Sequence, residues 1–304
     1  MQLAEVDKQT ELAIVRRAFA KQLMAFTGTA HQVRIEAAFA EVPREHFLGP
    51  GPWLTFSGIG TYVPTPSDDP IYVYCDRLFG LIPDQNLNNG QPSLHIALMA
   101  SAGAAVGEHV VHVGAGTGYY SAILAHIVGP TGRVTAIEFD EGLAALATAN
   151  LTRFANVRVL KGDASTVPFD PADVIYVNAS ASRIPSAWLD GLHEGGRLIL
   201  PMGSRAGFKA MEPGPIDLMR LARMASMNAV FRIERRGGEF HVKLTVPGGF
   251  IPAQGGASDP TADAALMAAL ENGGAKKVTR LYRSEDIPSE RVWLKGEGWC
   301  LAYD

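Results

Sequence analysis

Residues 110–120 read Val-Val-His-Val-Gly-Ala-Gly-Thr-Gly-Tyr-Tyr, and this stretch decides the fold of the chain. A short β-type run leads into a loop with a glycine at every second position, and the loop opens a helix. Glu138 follows 20 positions after the last of these glycines, at the end of the next apolar run. In a doubly wound sheet, such glycines let the backbone approach a nucleoside, and such an acid accepts hydrogen bonds from ribose hydroxyls. The spacing therefore predicts a nucleoside site on a parallel sheet.

The spacing of the glycines also separates the candidate ligands. A dinucleotide fingerprint, Gly-x-Gly-x-x-Gly, would place its third glycine at position 119, which is Tyr119. Here the third glycine is Gly118, and no Walker-type Gly-Lys-Ser/Thr follows it. We therefore predict S-adenosyl-L-methionine, with a dinucleotide or a purely structural glycine turn as the alternatives. Asp163 ends the third strand of the same unit and is predicted to accept a hydrogen bond from the adenine amino group.

The composition and net charge of the chain exclude several classes of protein. The chain has 304 residues, of which 47% are hydrophobic and 19% charged, enough for one large domain or one domain with an appendage. A net charge of −4 supplies no basic excess for a nucleic-acid partner. The N-terminus lacks the apolar core of a signal peptide, and no apolar run reaches the roughly 20 residues of a membrane span. Two cysteines favour a reducing compartment, so we expect a cytoplasmic protein with no membrane partner and, without clustered ligands, no metal.

Strand and helix patterns alternate through the middle of the chain. Strands are predicted at 109–113, 133–138, 157–160, 173–178 and 197–201, and helices at 119–128, 141–154 and 185–192. Helices at 5–26, 31–41 and about 93–102 precede them, with irregular segments at 49–70 and 81–93. A hairpin at 231–244, a linker at 252–260, a helix at 261–271 and β runs at 278–283 and 291–303 follow. The predicted class is α/β, with a Rossmann-like, doubly wound, mostly parallel sheet, N-terminal helices and a small C-terminal α+β extension.

Several separated motifs accompany the glycine loop in a fixed order. They are Val42-Pro43-Arg44, Tyr74-Cys75-Asp76, Gly90-Gln91-Pro92, Ile184-Pro185 and Phe250-Ile251-Pro252. Over residues 33–255 these motifs make the chain similar to the protein-L-isoaspartate O-methyltransferase family. We therefore expect a methyltransferase domain over 1–255, with a helical part over 1–105 and a cofactor-binding core over 106–255. A C-terminal extension over 256–304 follows it.

The resemblance implies an S-adenosyl-L-methionine-dependent O-methyltransferase. Its acceptor would be a carboxylate, that of isoaspartyl residues in damaged proteins or peptides, and its role would be protein repair. The implied cofactor contacts are Gly90, Gln91, His95, Gly114, Ala115, Gly116, Thr117, Gly118, Tyr119, Glu138, Phe139, Asp163 and Ala164. The implied catalytic residues, on the substrate loop and the helix after it, are Asn89, Gly90, Gln91 and His95.

One position departs from the family pattern. Members carry a hydroxyl residue, usually serine, before the Gln/Ala-Pro pair, and here that position is Gly90. An ionised carboxylate needs no base, whereas a hydroxyl or protonated amine would need one, and His95 is the first candidate for it. Two alternatives therefore stay open: a paralogue acting on another peptide or small-molecule acceptor, and a non-catalytic module that binds the cofactor. The aromatic residues of the extension are expected to complete a small lobe or a homodimer contact.

Overall fold

The computed structural model describes residues 7–57, 61–209, 227–284 and 286–304, and in these ranges a ten-stranded sheet lies among helices. The strands are β1 Leu54–Phe56, β2 Tyr62–Pro64, β3 Gly80–Ile82, β4 Leu87–Asn88, β5 His109–Val113, β6 Arg133–Glu138, β7 Val157–Lys161, β8 Ala172–Val177, β9 Leu192–Gly203, β10 Asn228–Arg236, β11 Glu239–Leu244, β12 Arg280–Tyr282, β13 Val292–Gly296 and β14 Trp299–Ala302. The helices are α1 Lys8–Phe26, α2 Val33–Glu41, α3 Pro92–Ala102, α4 Tyr119–Val128, α5 Glu141–Asn150, α6 Ser186–Asp190, α7 Arg205–Lys209 and α8 Pro260–Glu271.

The main sheet has the order β13-β14-β12-β11-β10-β9-β8-β5-β6-β7. From β9 to β7 neighbouring strands are parallel, and from β9 to β13 they are antiparallel. The chain runs from β5 to β6 and β7, then returns to the other side of β5 to form β8 and β9. The strand order therefore reverses between β5 and β8, where Val113 pairs with both Ile137 and Val177. Doubly wound sheets bind ligands at such a reversal, outside the carboxyl ends of the strands. The predicted α/β class is confirmed.

Every residue of β5 is buried, as expected for a parallel strand covered on both faces. Val110 packs into a core shared with α1 to α4, and Val111 packs into the core on the other side, with Trp188 of α6 and Leu266 of α8. The side-chain period of two sends successive valines to opposite layers. At the end of β6, Asp140 caps α5 because its Oδ1 accepts from the Leu143 amide at 2.8 Å.

Three sequence predictions differ from the structure in their extent. The irregular segments 49–70 and 81–93 contain short antiparallel pairs, β1 with β2 and β3 with β4. The helix predicted to reach 154 ends at Asn150. The strand predicted at 197–201 begins at Leu192, because the residues just before 197 form a bulge inside β9, where Gly195 has φ +78°.

The linker predicted at 252–260 is wrong. Pro252 forms a parallel bridge with Ser180, and the Ala253 amide donates to the Ser180 carbonyl at 2.7 Å. Ala253 and Ala257 are both buried. Glycines and prolines break the periodic patterns that mark helices and strands, but here they let the chain pack closely against the sheet.

Beyond this segment, β12 pairs with β11 and extends the main sheet, whereas the predicted domain boundary at 255 stays a prediction. No helix in the described part of the chain is long and apolar enough to cross a membrane.

Candidate active site

A cavity of about 680 Å³ lies at the carboxyl ends of β5, β6, β7 and β8. Its volume falls within the roughly 300–1,000 Å³ of small-molecule sites. The residues that line it include the segments 86–91, 114–117, 138–140, 162–164, 178–179 and 246–254. The cavity therefore joins the glycine loop, the predicted substrate loop and the segment before the C-terminal extension.

The glycine loop needs its glycines for two different reasons. Gly114 and Gly116 have φ values of +76° and +58°, and both line the cavity with bare backbone. Gly118, with φ +98°, begins α4 and does not line the cavity. A β-carbon at Gly118 would lie 2.8 Å from the Leu151 Cδ1 atom, so this glycine lets the loop pack against α5 and its following residue.

Glu138 is buried at the end of β6 and braces the glycine loop. Its Oε2 accepts from the Gly116 amide at 2.7 Å, and its Oε1 accepts from the Asp140 amide at 3.0 Å. Burial raises the pKa of this carboxyl above its ordinary value, although the same amide hydrogen bonds act against the shift. A carboxylate has about four acceptor sites and the backbone amides do not occupy all of them, so Glu138 can still accept from a ligand hydroxyl.

Asp163 follows β7 and contacts the segment after Pro252. Its Oδ1 accepts from the Ser165 amide at 2.9 Å, and its Oδ2 accepts from the Gly256 amide at 2.8 Å. Burial by itself would raise its pKa, but these hydrogen bonds prevail and lower the pKa below its ordinary value. The carboxylate is therefore ionised, and the C-terminal part of the chain helps to fix its position.

Apolar groups complete this end of the cavity. Phe139 is 43% exposed, while Trp188 is fully buried and donates from Nε1 to the Ala164 carbonyl at 2.8 Å. All three residues line the cavity. A partly apolar, aromatic-lined pocket of this kind beside an ionised carboxylate suits a purine ring.

The buried guanidinium of Arg44 holds the predicted substrate loop. It donates to the carbonyls of Val73, Cys75, Arg77 and Gly90 and to the Oδ1 of Asn89, at distances from 2.8 to 3.5 Å. Its central carbon lies 4.9 Å from the centre of the Phe79 ring. Within the described ranges no carboxylate forms an ion pair with Arg44. Because the acceptors of this cation are four backbone carbonyls and the side-chain oxygen of Asn89, its hydrogen bonds fix the path of the loop.

Most polar side chains of the loop are engaged in holding it. Asn88 accepts from the Gly90 amide at 2.9 Å, and Asn89 accepts from the Phe79 amide at 3.0 Å. The Nδ2 of Asn89 is buried without a partner among the described residues. Gln91 donates from Nε2 to Asp76 at 2.9 Å, and the other oxygen of Asp76 accepts from the Ser93 amide at the start of α3. The side chains of Asn88, Asn89 and Gln91 therefore orient the loop through these hydrogen bonds.

His95 fills the space beside Gly90. Gly90 has φ +73°, and a β-carbon built on it would overlap the Nε2 of His95 and lie 2.9 Å from its Cδ2. The imidazole is 1% exposed, stacks on the Tyr120 ring at 3.7 Å and has its Nδ1 2.8 Å from the Tyr176 hydroxyl oxygen. Burial, with smaller contributions from His112 and Arg44, lowers the pKa of His95 well below its ordinary value. The imidazole is therefore neutral near pH 7.

The structure brings the predicted site residues into one cavity, with the exception of Gly118. Those that line it are Asn89, Gly90, Gln91, His95, Gly114, Ala115, Gly116, Thr117, Tyr119, Glu138, Phe139, Asp163 and Ala164. Sequence reasoning missed Trp188, the segment 246–254 as a wall, and Tyr176 behind His95. The Phe-Ile-Pro motif was a signal for the wall, whereas a lone tyrosine within a buried strand gives none.

Comparison with known proteins places these features in a family. A family model described as Protein-L-isoaspartate(D-aspartate) O-methyltransferase (PCMT) matches residues 60–213. A protein-L-isoaspartate O-methyltransferase of Thermotoga maritima is 33% identical over 174 residues, covering 55% of this chain and 50% of the relative. One of Brucella anthropi is 34% identical over 184 residues, covering 58% and 73%. The chain thus spans about half the length of several of the curated relatives it matches.

Solved structures agree with this comparison. A protein-L-isoaspartate O-methyltransferase superposes with a TM-score of 0.60 and 26% identity, covering 79% of this chain and 67% of the other. A putative Plasmodium falciparum enzyme of that name, in complex with S-adenosyl-L-homocysteine, has a TM-score of 0.56 at 16% identity and shows the shared fold. It covers 78% of this chain and 97% of its own. Since the family model matches half of its residues, this chain belongs to the protein-L-isoaspartate(D-aspartate) O-methyltransferase family.

Proposed function

We propose that this chain is an S-adenosyl-L-methionine-dependent O-methyltransferase that methylates the carboxylate of isoaspartyl residues in damaged proteins or peptides. One observation carries the proposal. The glycine loop with Glu138 and the substrate loop with Gly90 line the same cavity, so a bound nucleoside and an acceptor can meet there. Membership of the family supports the same activity.

The residues at the cofactor end fit S-adenosyl-L-methionine. Glu138 would accept from the ribose hydroxyls, Asp163 from the adenine amino group, and the backbone at Gly114 and Gly116 would lie against the ligand. When bound, this cofactor supplies an electrophilic methyl group on a cationic sulfur. The acids among the described lining residues are Glu138, Asp140 and Asp163, all at this end of the cavity.

The acceptor end suits an anionic nucleophile that needs alignment rather than activation. No lysine or arginine is among the described residues that line the cavity. A carboxylate placed there keeps its nucleophilicity because no fixed cation neutralises it, and neutral donors can orient it. Catalysis then rests on alignment and on excluding water, which the segment 246–254 promotes by covering one side of the cavity.

Methyl transfer to a synthetic peptide tests the proposal. We expect label from S-adenosyl-L-methionine to reach a peptide that contains one isoaspartyl residue and to leave the matched aspartyl peptide unlabelled. The Glu138→Gln variant, which lacks the carboxylate proposed to hold the ribose, should show a raised KM for the cofactor. Tight binding of S-adenosylhomocysteine without labelling of any carboxylate would instead support a non-catalytic binding module.

Gly90 favours one second candidate. Glycine has no side-chain hydroxyl, whereas family members carry a hydroxyl residue at this position. The acceptor can therefore be a different peptide or small-molecule carboxylate. Labelling of such a carboxylate, with the isoaspartyl peptide unlabelled, would select this candidate.

We also propose a cytoplasmic location and a homodimer, both expected from the sequence. Cys75 and Cys300 are free thiols, which suits a reducing compartment. Light scattering on the purified protein would test the homodimer.

A further inference from the structure

His95 lies between the parallel sheet and the substrate loop. It stands in the first turn of α3, with the hydroxyl of Tyr176 from β8 on its Nδ1 side and Gly90 on its Nε2 side. Tyr120 stacks on one face of the imidazole, and the edge of the Phe250 ring is 6.1 Å away between ring centres. These neighbours restrict the ring, so each nitrogen has a fixed environment.

The environment of Tyr176 determines which nitrogen carries the proton. Tyr176 is fully buried, and burial raises the pKa of its phenol, so the hydroxyl stays protonated. Within the described part of the chain, the Nδ1 of His95 is the hydrogen-bond partner of this hydroxyl. A buried O–H without an acceptor would incur the full desolvation penalty, whereas an unused lone pair on the same oxygen costs less. Tyr176 therefore donates to Nδ1, and the neutral imidazole carries its proton on Nε2.

The Nε2–H group is directed at the place where a side chain at position 90 would lie. A β-carbon at Gly90 would overlap Nε2, and Nε2 has no hydrogen-bond partner among the described residues. His95 and Gly90 both line the cavity. The absence of a side chain at Gly90 therefore leaves a neutral N–H donor available to the bound acceptor.

We propose that the Nε2–H of His95, held in this tautomer by Tyr176, donates to the carboxylate that accepts the methyl group and selects an already ionised acceptor. This proposal rests on the proposed function. The acceptor oxygen forms the new bond to carbon with its own lone pair, while the carbon–sulfur bond breaks and its electron pair stays on sulfur. No proton is released in this step. A hydroxyl or protonated amine must lose a proton, and His95 cannot take it because Nε2 is protonated and Nδ1 is occupied.

Nitrogen-15 NMR of the histidine side chains tests the tautomer without any turnover. The chain has eight histidines, and the signals missing from the His95→Gln spectrum identify His95. We expect wild-type His95 to show a protonated Nε2 and an unprotonated Nδ1 near pH 7. In Tyr176→Phe we expect a mixture of the two tautomers. A protonated Nδ1 in the wild type would overturn the proposal.

Kinetics with the isoaspartyl peptide test the contact with the acceptor. His95→Ala should lower kcat/KM for the peptide by about 10- to 100-fold, the range for loss of a hydrogen bond to a charged group. Because a glutamine amide can donate but cannot act as a base, His95→Gln should recover at least a third of wild-type kcat/KM. Affinity for S-adenosylhomocysteine should stay within about twofold in both. A changed S-adenosylhomocysteine affinity with an unchanged peptide KM would make His95 a cofactor residue and overturn the proposal.

Moving the hydrogen-bond donor from position 95 to position 90 provides an independent check. Gly90→Ser alone should lose activity, because its β-carbon displaces His95. In Gly90→Ser with His95→Ala the hydroxyl has room, and we expect higher kcat/KM than in His95→Ala alone. No gain from the swap would contradict the contact.

If the wild type labels no isoaspartyl peptide but shows the Nε2–H spectrum and labels another carboxylate, only the proposed function fails. Efficient labelling of a hydroxyl or amine would overturn the present inference.

Discussion

Gly255→Ala is expected to displace the Asp163 carboxylate and weaken cofactor binding. Gly255 has φ +79°, and an added β-carbon would overlap Oδ2 of Asp163 and lie 2.8 Å from Oδ1. The next residue, Gly256, donates its amide to the same Oδ2 at 2.8 Å. The substitution therefore has to separate the carboxylate from the segment that fixes it.

The expected loss in the free energy of unfolding of Gly255→Ala has two sources. Alanine in a left-handed conformation costs about 1–2 kcal/mol. Loss of a hydrogen bond to a charged group costs about 1.5–3 kcal/mol, and we take about 1–2 kcal/mol because Asp163 is only partly buried. Gly273→Ala provides the matched control, since Gly273 has φ +73° and nothing lies within 4 Å of its added β-carbon. The two variants should therefore differ by about 1–2 kcal/mol in the free energy of unfolding.

Denaturant unfolding and calorimetric titration with S-adenosylhomocysteine measure both consequences. We expect Gly273→Ala to bind the ligand like the wild type and Gly255→Ala to bind it about tenfold more weakly, or about 1.4 kcal/mol. Equal stability and equal affinity in the two variants would refute the assignment of Asp163 as a residue positioned by the C-terminal segment.

Three further changes follow from the buried polar groups. Arg44→Met leaves the carbonyls of the substrate loop without donors and should lower the free energy of unfolding by about 3 kcal/mol in denaturant melts. Arg44→Lys should recover only part of this loss in stability, because an ammonium group lacks the planar arrangement of donors in a guanidinium. Burial raises the pKa of Glu138, so calorimetry at successive pH values should show S-adenosylhomocysteine affinity falling before the pH reaches the ordinary value of 4.5, and Glu138→Gln should abolish this dependence. Burial lowers the pKa of His112 to about 3. As the pH falls below 6.5, this histidine is therefore protonated in the unfolded protein while it stays neutral in the folded protein. Stability should then decline by about 1.4 kcal/mol per pH unit from this group, and His112→Gln should remove that part of the slope in denaturant melts between pH 6 and 4.

Local patterns in the sequence were sufficient for the parallel half of the sheet. Strands β5, β6 and β8 are mostly apolar runs, β7 alternates apolar and basic residues, and parallel pairing brings the carboxyl ends of all four together. Glu138 and Asp163 were therefore predictable as neighbours from their places at strand ends. The glycine spacing predicted the close backbone approach at Gly114 and Gly116 for the same reason.

Long-range contacts were beyond these local patterns. The segment after Phe250 has the composition of a linker, and only its pairing with Ser180 and its contact with Asp163 make it a wall of the cavity. Arg44 could be identified as part of a motif, but its role depends on carbonyls 29 to 46 positions away in the chain. The clash that a side chain at Gly90 would have with His95 likewise exists only after folding.

The substrate loop also explains how position 90 can lack a side chain while the loop keeps its path. The loop is held by the guanidinium of Arg44, the amide groups of Asn88 and Asn89, and the backbone of Gly90, and none of these hydrogen bonds uses a side chain at position 90. The hydrogen bonds that hold the loop therefore do not depend on a side chain at position 90, although an added side chain there has to displace His95. On the proposed assignment, His95 then supplies the donor that position 90 lacks. Acceptor choice and cofactor binding are thus separable in this chain, so substitutions at positions 90 and 95 should change KM for the acceptor independently of the affinity for S-adenosylhomocysteine.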